Sequence, residues 1–294
     1  MKILIIKLGA AGDVVRTTSI LHLFKNENVF WITSLENSIL LKNNPFISKI
    51  IINYNLSEIL NENFDLAINL EDNFESAEIL SRLNYKELFG CYLSYGKLTY
   101  TESSSKWFDL SLISRFGKTK ADDLKYHNTY SFQELIFSGL GYKFNSEPYI
   151  LPQSPATDLY GDVAISPKAG NRWPMKNWSY YDKLADVLTQ IGLKVNFLPQ
   201  RDSMLEHLSD VRNHKFLISG DSLPMHFALG SGIKCLTFFL CTSPTEIFDY
   251  GIQTKLISPF LKEFFYRQDF DIKAVTSISL TEVIKKLKEI NLIK

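Results

Sequence analysis

Four stretches of this sequence gather residue types that can move a proton or hold an anion. The first is KLGAAGDVVR, residues 7–16, in which Gly9 and Gly12 flank the approach to Asp13 directly after an apolar run. The glycines, with Glu36 after the next apolar segment, invite comparison with a dinucleotide-binding turn. One glycine of G-x-G-x-x-G is missing, and Asp13 stands where helix amides would meet a pyrophosphate, so like charges would repel. A carboxylate at that place suits a general base or a hydroxyl anchor. It suits equally well a first-turn acid satisfied by the helix dipole.

The second stretch, SPKAGNRWPMKNW at 166–178, places Lys168, Arg172 and Lys176 after the apolar run DVAIS. Open α/β sheets bind ligands at such carboxyl ends. Trp173 and Trp178 read as packing anchors rather than stacking platforms. In the third, LISGDSLPMHFALGSG, a strand breaks at Gly220, Asp221 and Ser222 can cap, Pro224 takes an early helical position and His226 lies in the first turn. Free amides at a helix start form an anion site. The cations and these amides belong to one lobe's rim and together suit a diphosphate. The fourth, FLPQRD, puts Asp202 where an acid can accept ribose hydroxyl protons.

The elements that must hold these residues are legible as alternation. KILIIK, VFWITS, SKIIIN, FDLAINL and ELFGCY read as strands of the first half, with NFESAEILSRL and YSFQELIFSGLGY as helices. NSEPYILPQSPATD, with Pro148, Pro152 and Pro155, is the best linker. Beyond it DVAIS, KVNFLP, KFLIS, KCLTFF and TKLIS repeat the pattern between helices, and SLTEVIKKLKEINLI closes as an amphipathic helix capped by Ser279 or Thr281. Short apolar strands alternating with helices imply parallel sheets covered on both faces. Two α/β domains are expected, 1–150 and 151–294.

Composition narrows the function classes. Of 294 residues, 32 are Lys or Arg and 32 are Asp or Glu, so no overall field draws the chain to nucleic acid. Cys91, Cys235 and Cys241 lack metal-ligand spacing and read as reduced core thiols of a cytoplasmic protein. The opening apolar run meets Gly and Asp too soon for a signal peptide. Nothing in these spacings marks a metal site.

Taken together, MKILIIKLGAAGDVVRTTSIL, FDLAINLEDNFESAEIL, ISPKAGNRWPMKNWSYYDKLADVL and LISGDSLPMHFALGSGIKCLTFFLCTSP resemble, in order, glycosyltransferase family 9, the ADP-heptose:lipopolysaccharide heptosyltransferases. The resemblance implies an α/β fold of GT-B type, two Rossmann-like domains facing across a cleft. The N-terminal domain would bind the acceptor and the C-terminal one the nucleotide sugar, with room for the last helix to pack back on the N-terminal domain. It implies an inverting, metal-independent transfer of a sugar, heptose foremost, to a hydroxyl of a glycan or glycolipid such as lipopolysaccharide core, with a nucleotide sugar as substrate and no cofactor. Peripheral association with the cytoplasmic face of the inner membrane is compatible with such an acceptor.

Carried over by motif, Asp13 matches the catalytic base, with Gly12 and Arg16 on the acceptor side. Ser166, Lys168, Asn171, Arg172, Asp202, Asp221, Ser222, Leu223 and His226 match the donor side, with ADP-heptose as the implied donor. Asn171 stands where the family usually has lysine, and Leu223 where it has glycine, so donor identity stays open. Two other readings remain: an NAD-dependent Rossmann oxidoreductase, and a non-catalytic binding protein of GT-B shape.

Overall fold

The computed structural model describes residues 1–170 and 172–294. The chain forms two compact units, Met1–Gln153 and Ser154–Lys294. Their division falls within the proline-rich stretch, where neither helix nor strand can run on.

The first unit is built on a six-stranded sheet, in the order β3-β2-β1-β4-β5-β6. Its strands are β1 (Lys2–Ile6), β2 (Asn28–Thr33), β3 (Lys49–Ile52), β4 (Asn63–Asn69), β5 (Asn84–Ser94) and β6 (Lys97–Tyr100). All neighbours run parallel except β6, which folds back antiparallel on β5. The parallel strands are apolar on both faces because helices cover both. Leu4, Ile6, Phe30, Ile32, Phe64, Ala67, Ile79 and Leu80 close one core cluster.

β5 outruns its sequence signal at both ends, and the β5–β6 hairpin was not expected from ELFGCY alone. Its turn places Tyr95 and Gly96 at φ 49° and 74°, left-handed geometry that the tyrosine does not advertise. Gly90 at φ +115° is obligatory, since a Cβ there would lie 1.9 Å from the Asn69 carbonyl oxygen.

The second unit carries a five-stranded parallel sheet, in the order β11-β10-β9-β7-β8. These are β7 (Gly161–Ser166), β8 (Val195–Phe197), β9 (His214–Gly220), β10 (Lys234–Phe239) and β11 (Gln253–Ile257). Trp178, Tyr181 and Phe238 form its aromatic centre: Trp178 stacks on Phe238 at 4.4 Å and donates its indole N–H to the Ile278 carbonyl at 2.8 Å. The last helix, Leu280–Glu289, is opened by a capping box of Ser279 and Glu282 and buries Val283 and Leu287 in this unit's core.

Cys91, Cys235 and Cys241 are buried free thiols, and burial pushes each up to about 12. Thiols held protonated in apolar surroundings are inert packing groups. No helix among the described residues is long and apolar enough to cross a membrane.

Candidate functional site

Each sheet reverses its strand order once. In the first unit the reversal falls between β1 and β4, in the second between β7 and β9. Open α/β sheets take ligands outside the carboxyl ends of the strands at that point. The chemistry-bearing residues of each unit collect at its own reversal.

At the carboxyl end of β1 the chain turns through Leu8, Gly9 and Ala10 into the helix Ala11–Thr17. Ala10 has φ 28°, a region that favours glycine, and its carbonyl accepts the Asp13 amide at 2.8 Å and the Val14 amide at 3.1 Å. Backbone held in such geometry costs about 1–3 kcal/mol and persists only where the surroundings enforce it.

Glu71, which follows β4, holds the two residues that lead into this turn. Its Oε1 accepts the amides of Leu8 at 2.7 Å and Gly9 at 2.9 Å, while Asn37 holds the Leu8 carbonyl at 2.7 Å. Asp13 sits in the first helical turn with its side chain one third exposed (33%). Its Oδ1 lies 2.9 Å from the Arg16 guanidinium, and its Oδ2 lies 3.9 Å from the Lys7 ammonium. Arg16 is buried, its guanidinium 4.3 Å over Phe132 and 5.5 Å from Trp107. That packing fixes the arginine more firmly than a solvated ion pair could.

At the second reversal, β7 ends in buried Ser166 and β9 ends in Gly220. The loop after β7 is drawn tight by Asn177, whose Oδ1 accepts the Ala169 amide at 2.8 Å. A 3₁₀ turn, Pro174–Lys176, then lies against Gly220, where a Cβ would stand 2.6 Å from the Lys176 carbonyl oxygen. That close approach brings the Lys176 ammonium to 2.8 Å from both the carbonyl oxygen and Oδ2 of Asp221.

Thr242 donates to the same Oδ2 at 2.8 Å. Burial pushes the Asp221 carboxyl up, but the Lys176 ammonium, with His226 and the Thr242 hydroxyl, outweighs it and holds the group at about 2. Asp221 is therefore an anion that clamps two loops together. Ser222 caps the helix Leu223–Gly230 by backbone alone, Pro224 lies in its first turn, and His226 is buried there.

Lys168 and Arg172 are exposed on the loop, Arg172 lying 5.4 Å from the Trp173 ring. Trp173 packs edge-on against Tyr266 at 5.5 Å. Asp202 is exposed in the turn after β8. Asn171 lies outside the described residues. The second unit thus brings Ser166, Lys168, Arg172, Asp221, Ser222, Leu223 and His226 to one sheet edge, and the first brings Gly12, Asp13 and Arg16 to another. A shallow cavity of about 320 Å³ between Tyr160, Asp162, Lys194 and Lys215 opens at the amino ends of β7 and β9, away from this chemistry.

No family model and no curated protein matches the chain. Solved structures do. A glycosyltransferase family 9 protein of Veillonella parvula superposes with a TM-score of 0.69 at 18% identity, covering 99% of this chain and 97% of that one. The chain shares the two-sheet α/β fold of that structure. The E. coli ADP-heptose lps heptosyltransferase II superposes with a TM-score of 0.63 at 15% identity, over 99% of both chains. The E. coli heptosyltransferase WaaC solved with ADP gives 0.60 at 16%, over 99% of this chain and 100% of that one.

Sequence reasoning missed Lys7, Glu71 and Thr242. Lys7 ends an apolar run and Glu71 follows one, but only the pairing of β1 with β4 puts them side by side. Thr242 follows β10, and its tie to Asp221 needs the β9–β10 pairing. Among the described residues no group of three or more His, Cys, Asp or Glu is placed to hold a metal.

Proposed function

We propose that this protein is an inverting glycosyltransferase that moves a sugar from a nucleoside-diphosphate donor to a hydroxyl of a glycan acceptor, with the donor held by the second unit. The observation that carries the reading is the contrast between the two sheet reversals. One presents a partly exposed carboxylate, Asp13, and the other presents cations and helix-start amides. The fold supports it, as do the solved relatives with ADP and with ADP-2-deoxy-2-fluoro heptose, which favour an ADP-heptose donor.

In the proposed step the acceptor oxygen attacks the anomeric carbon as its proton passes to the Asp13 carboxylate. The new carbon–oxygen bond forms as the bond to the diphosphate breaks, and the electron pair leaves on the phosphate. Proton removal by a placed base contributes about 10²- to 10⁴-fold. Lys168, Arg172, His226 and the amides of Ser222 and Leu223 would meet the charge growing on the leaving group. One such preorganised donor contributes about 3 kcal/mol.

Asp202 would accept from the ribose. The acceptor side would use Gly12 and Arg16, with lipopolysaccharide core or a related glycolipid as acceptor and the cytoplasmic membrane face as the place of work. The protein's own cations carry the leaving-group charge in this reading, so no metal is required.

An NAD-dependent oxidoreductase shares the strand order of the first sheet. Asp13 argues against it, since it occupies the helix start a pyrophosphate would need. Nucleotide-sugar titration is the test. Binding accompanied by slow hydrolysis supports the transferase, whereas a response to NADH with indifference to every nucleotide sugar refutes it.

A further inference from the structure

The proposed chemistry uses Asp13 and leaves Glu71 without a part, although Glu71 is the more deeply buried of the two, 7% exposed. Its Oε1 lies 3.0 Å from the Lys7 ammonium and also receives the Leu8 and Gly9 amides at 2.7 and 2.9 Å. Glu71 is itself held from behind. Its amide donates to Asn69 Oδ1 at 3.2 Å, and Asn69 Nδ2 donates to the Cys91 carbonyl at 2.9 Å. Lys7, 9% exposed at its side chain, stands between the two acids, at 3.0 Å from Glu71 and 3.9 Å from Asp13.

We propose that Glu71 is a positioning residue for Asp13: it draws Lys7 away from Oδ2 while its two amide bonds fix the turn from which Asp13 projects. This rests on the reading of Asp13 as the base. A carboxylate flanked by two uncompensated cations holds a proton too weakly to serve as a good acceptor. Arg16 already lies 2.9 Å from Oδ1. With Glu71 taking the nearer share of Lys7, the pull of that ammonium on Asp13 is weakened. Charged groups close to Asp13 include Lys7 from β1, Arg16 from its own helix and, through Lys7, Glu71 from the segment after β4.

The test is the titration of the Asp13 carboxyl carbon by NMR in the full chain, assigned with Asp13→Asn. Glu71→Gln keeps a side-chain oxygen for the Leu8 and Gly9 amides and removes only the charge. The Asp13 midpoint is expected to fall by about one pH unit in Glu71→Gln and to return to the wild-type position in Lys7→Met/Glu71→Gln. Lys7→Met alone, the second probe should Glu71→Gln not fold, is expected to raise it.

A purely structural Glu71 would leave the midpoint unmoved in folded Glu71→Gln, and that result overturns the proposal. So does a fall that persists after Lys7 is removed. The titration needs no substrate, so a fully active Asp13→Asn would refute the base reading while leaving the coupling measurable. Conversely, an inactive Asp13→Asn with an unmoved midpoint would refute the coupling alone.

Discussion

The Lys176 ammonium grips Asp221 twice, at 2.8 Å from its carbonyl oxygen and 2.8 Å from its Oδ2, with each side chain only 13% exposed. This ion pair joins the loop after β7 to the loop after β9 and so sets the shape of the proposed diphosphate edge. Lys176→Met should strand a buried carboxylate and cost about 3–5 kcal/mol, read as a lowered urea midpoint. Lys176→Met with Asp221→Asn should recover part of that loss, because no buried charge is then left unpaired. Equal losses in the single and double variants would show that the pair is not what binds the loops.

The same pair makes an acid prediction. Asp221 is held at about 2 in the folded protein, below its ordinary value of 3.8. The folded state therefore binds fewer protons than the unfolded one between those values. The stability it contributes is complete above about pH 4 and is lost as pH falls toward 2. Asp221→Asn should flatten the urea midpoint across that window, and an unchanged slope would contradict the assignment.

Gly220 has no room for a side chain, since its Cβ would lie 2.6 Å from a backbone oxygen of Lys176. Gly220→Ala should therefore push the Pro174–Lys176 turn outward at a cost of about 1–3 kcal/mol. Nucleoside-diphosphate affinity should fall by about tenfold while the strands persist by circular dichroism. Wild-type affinity would separate this turn from the donor site.

Burial also lowers the pKa of His22, His207 and His214. At His214 burial outweighs the Asp210 carbonyl, which lies 2.6 Å from Nδ1 and favours the charged ring, while Nε2 accepts from Asn196 at 2.9 Å. A second proton would break the Asn196 bond. Histidines kept neutral by folding contribute stability above about pH 6.5 that is lost as pH falls through their lowered values. The urea midpoint should decline from pH 7 to pH 5, and His214→Gln should remove part of the decline. A midpoint that rose toward pH 5 would contradict this.

Much of this architecture is legible in the sequence, because a strand buried on both faces writes itself as an apolar run. KILIIK, VFWITS and KCLTFF coincide with β1, β2 and β10 to within a residue or two. The edge hairpin hides for the opposite reason: half-exposed β5 and β6 mix polar and aromatic residues. Local motif reading singles out Asp13 and Asp221, each beside a glycine, and Lys176 as one of a cluster of cations after an apolar run. It cannot find the Lys7–Glu71 and Thr242–Asp221 contacts, since these join residues that only strand order makes neighbours. Nor does the sequence reveal that Asp221 is already occupied by a lysine, which makes it a clamp rather than an open acceptor.

The most direct measurement is calorimetric titration of ADP-heptose and other nucleotide sugars into wild-type protein and Asp13→Asn, with release of nucleoside diphosphate followed in parallel. At least one nucleotide sugar should bind both proteins with affinities within about twofold, since the variant leaves the cations and amides of the second unit intact. Only the wild type should release nucleoside diphosphate, with the variant slower by about 10² or more. Wild-type protein that binds no nucleotide sugar, or Asp13→Asn that turns over at the wild-type rate, would contradict the account.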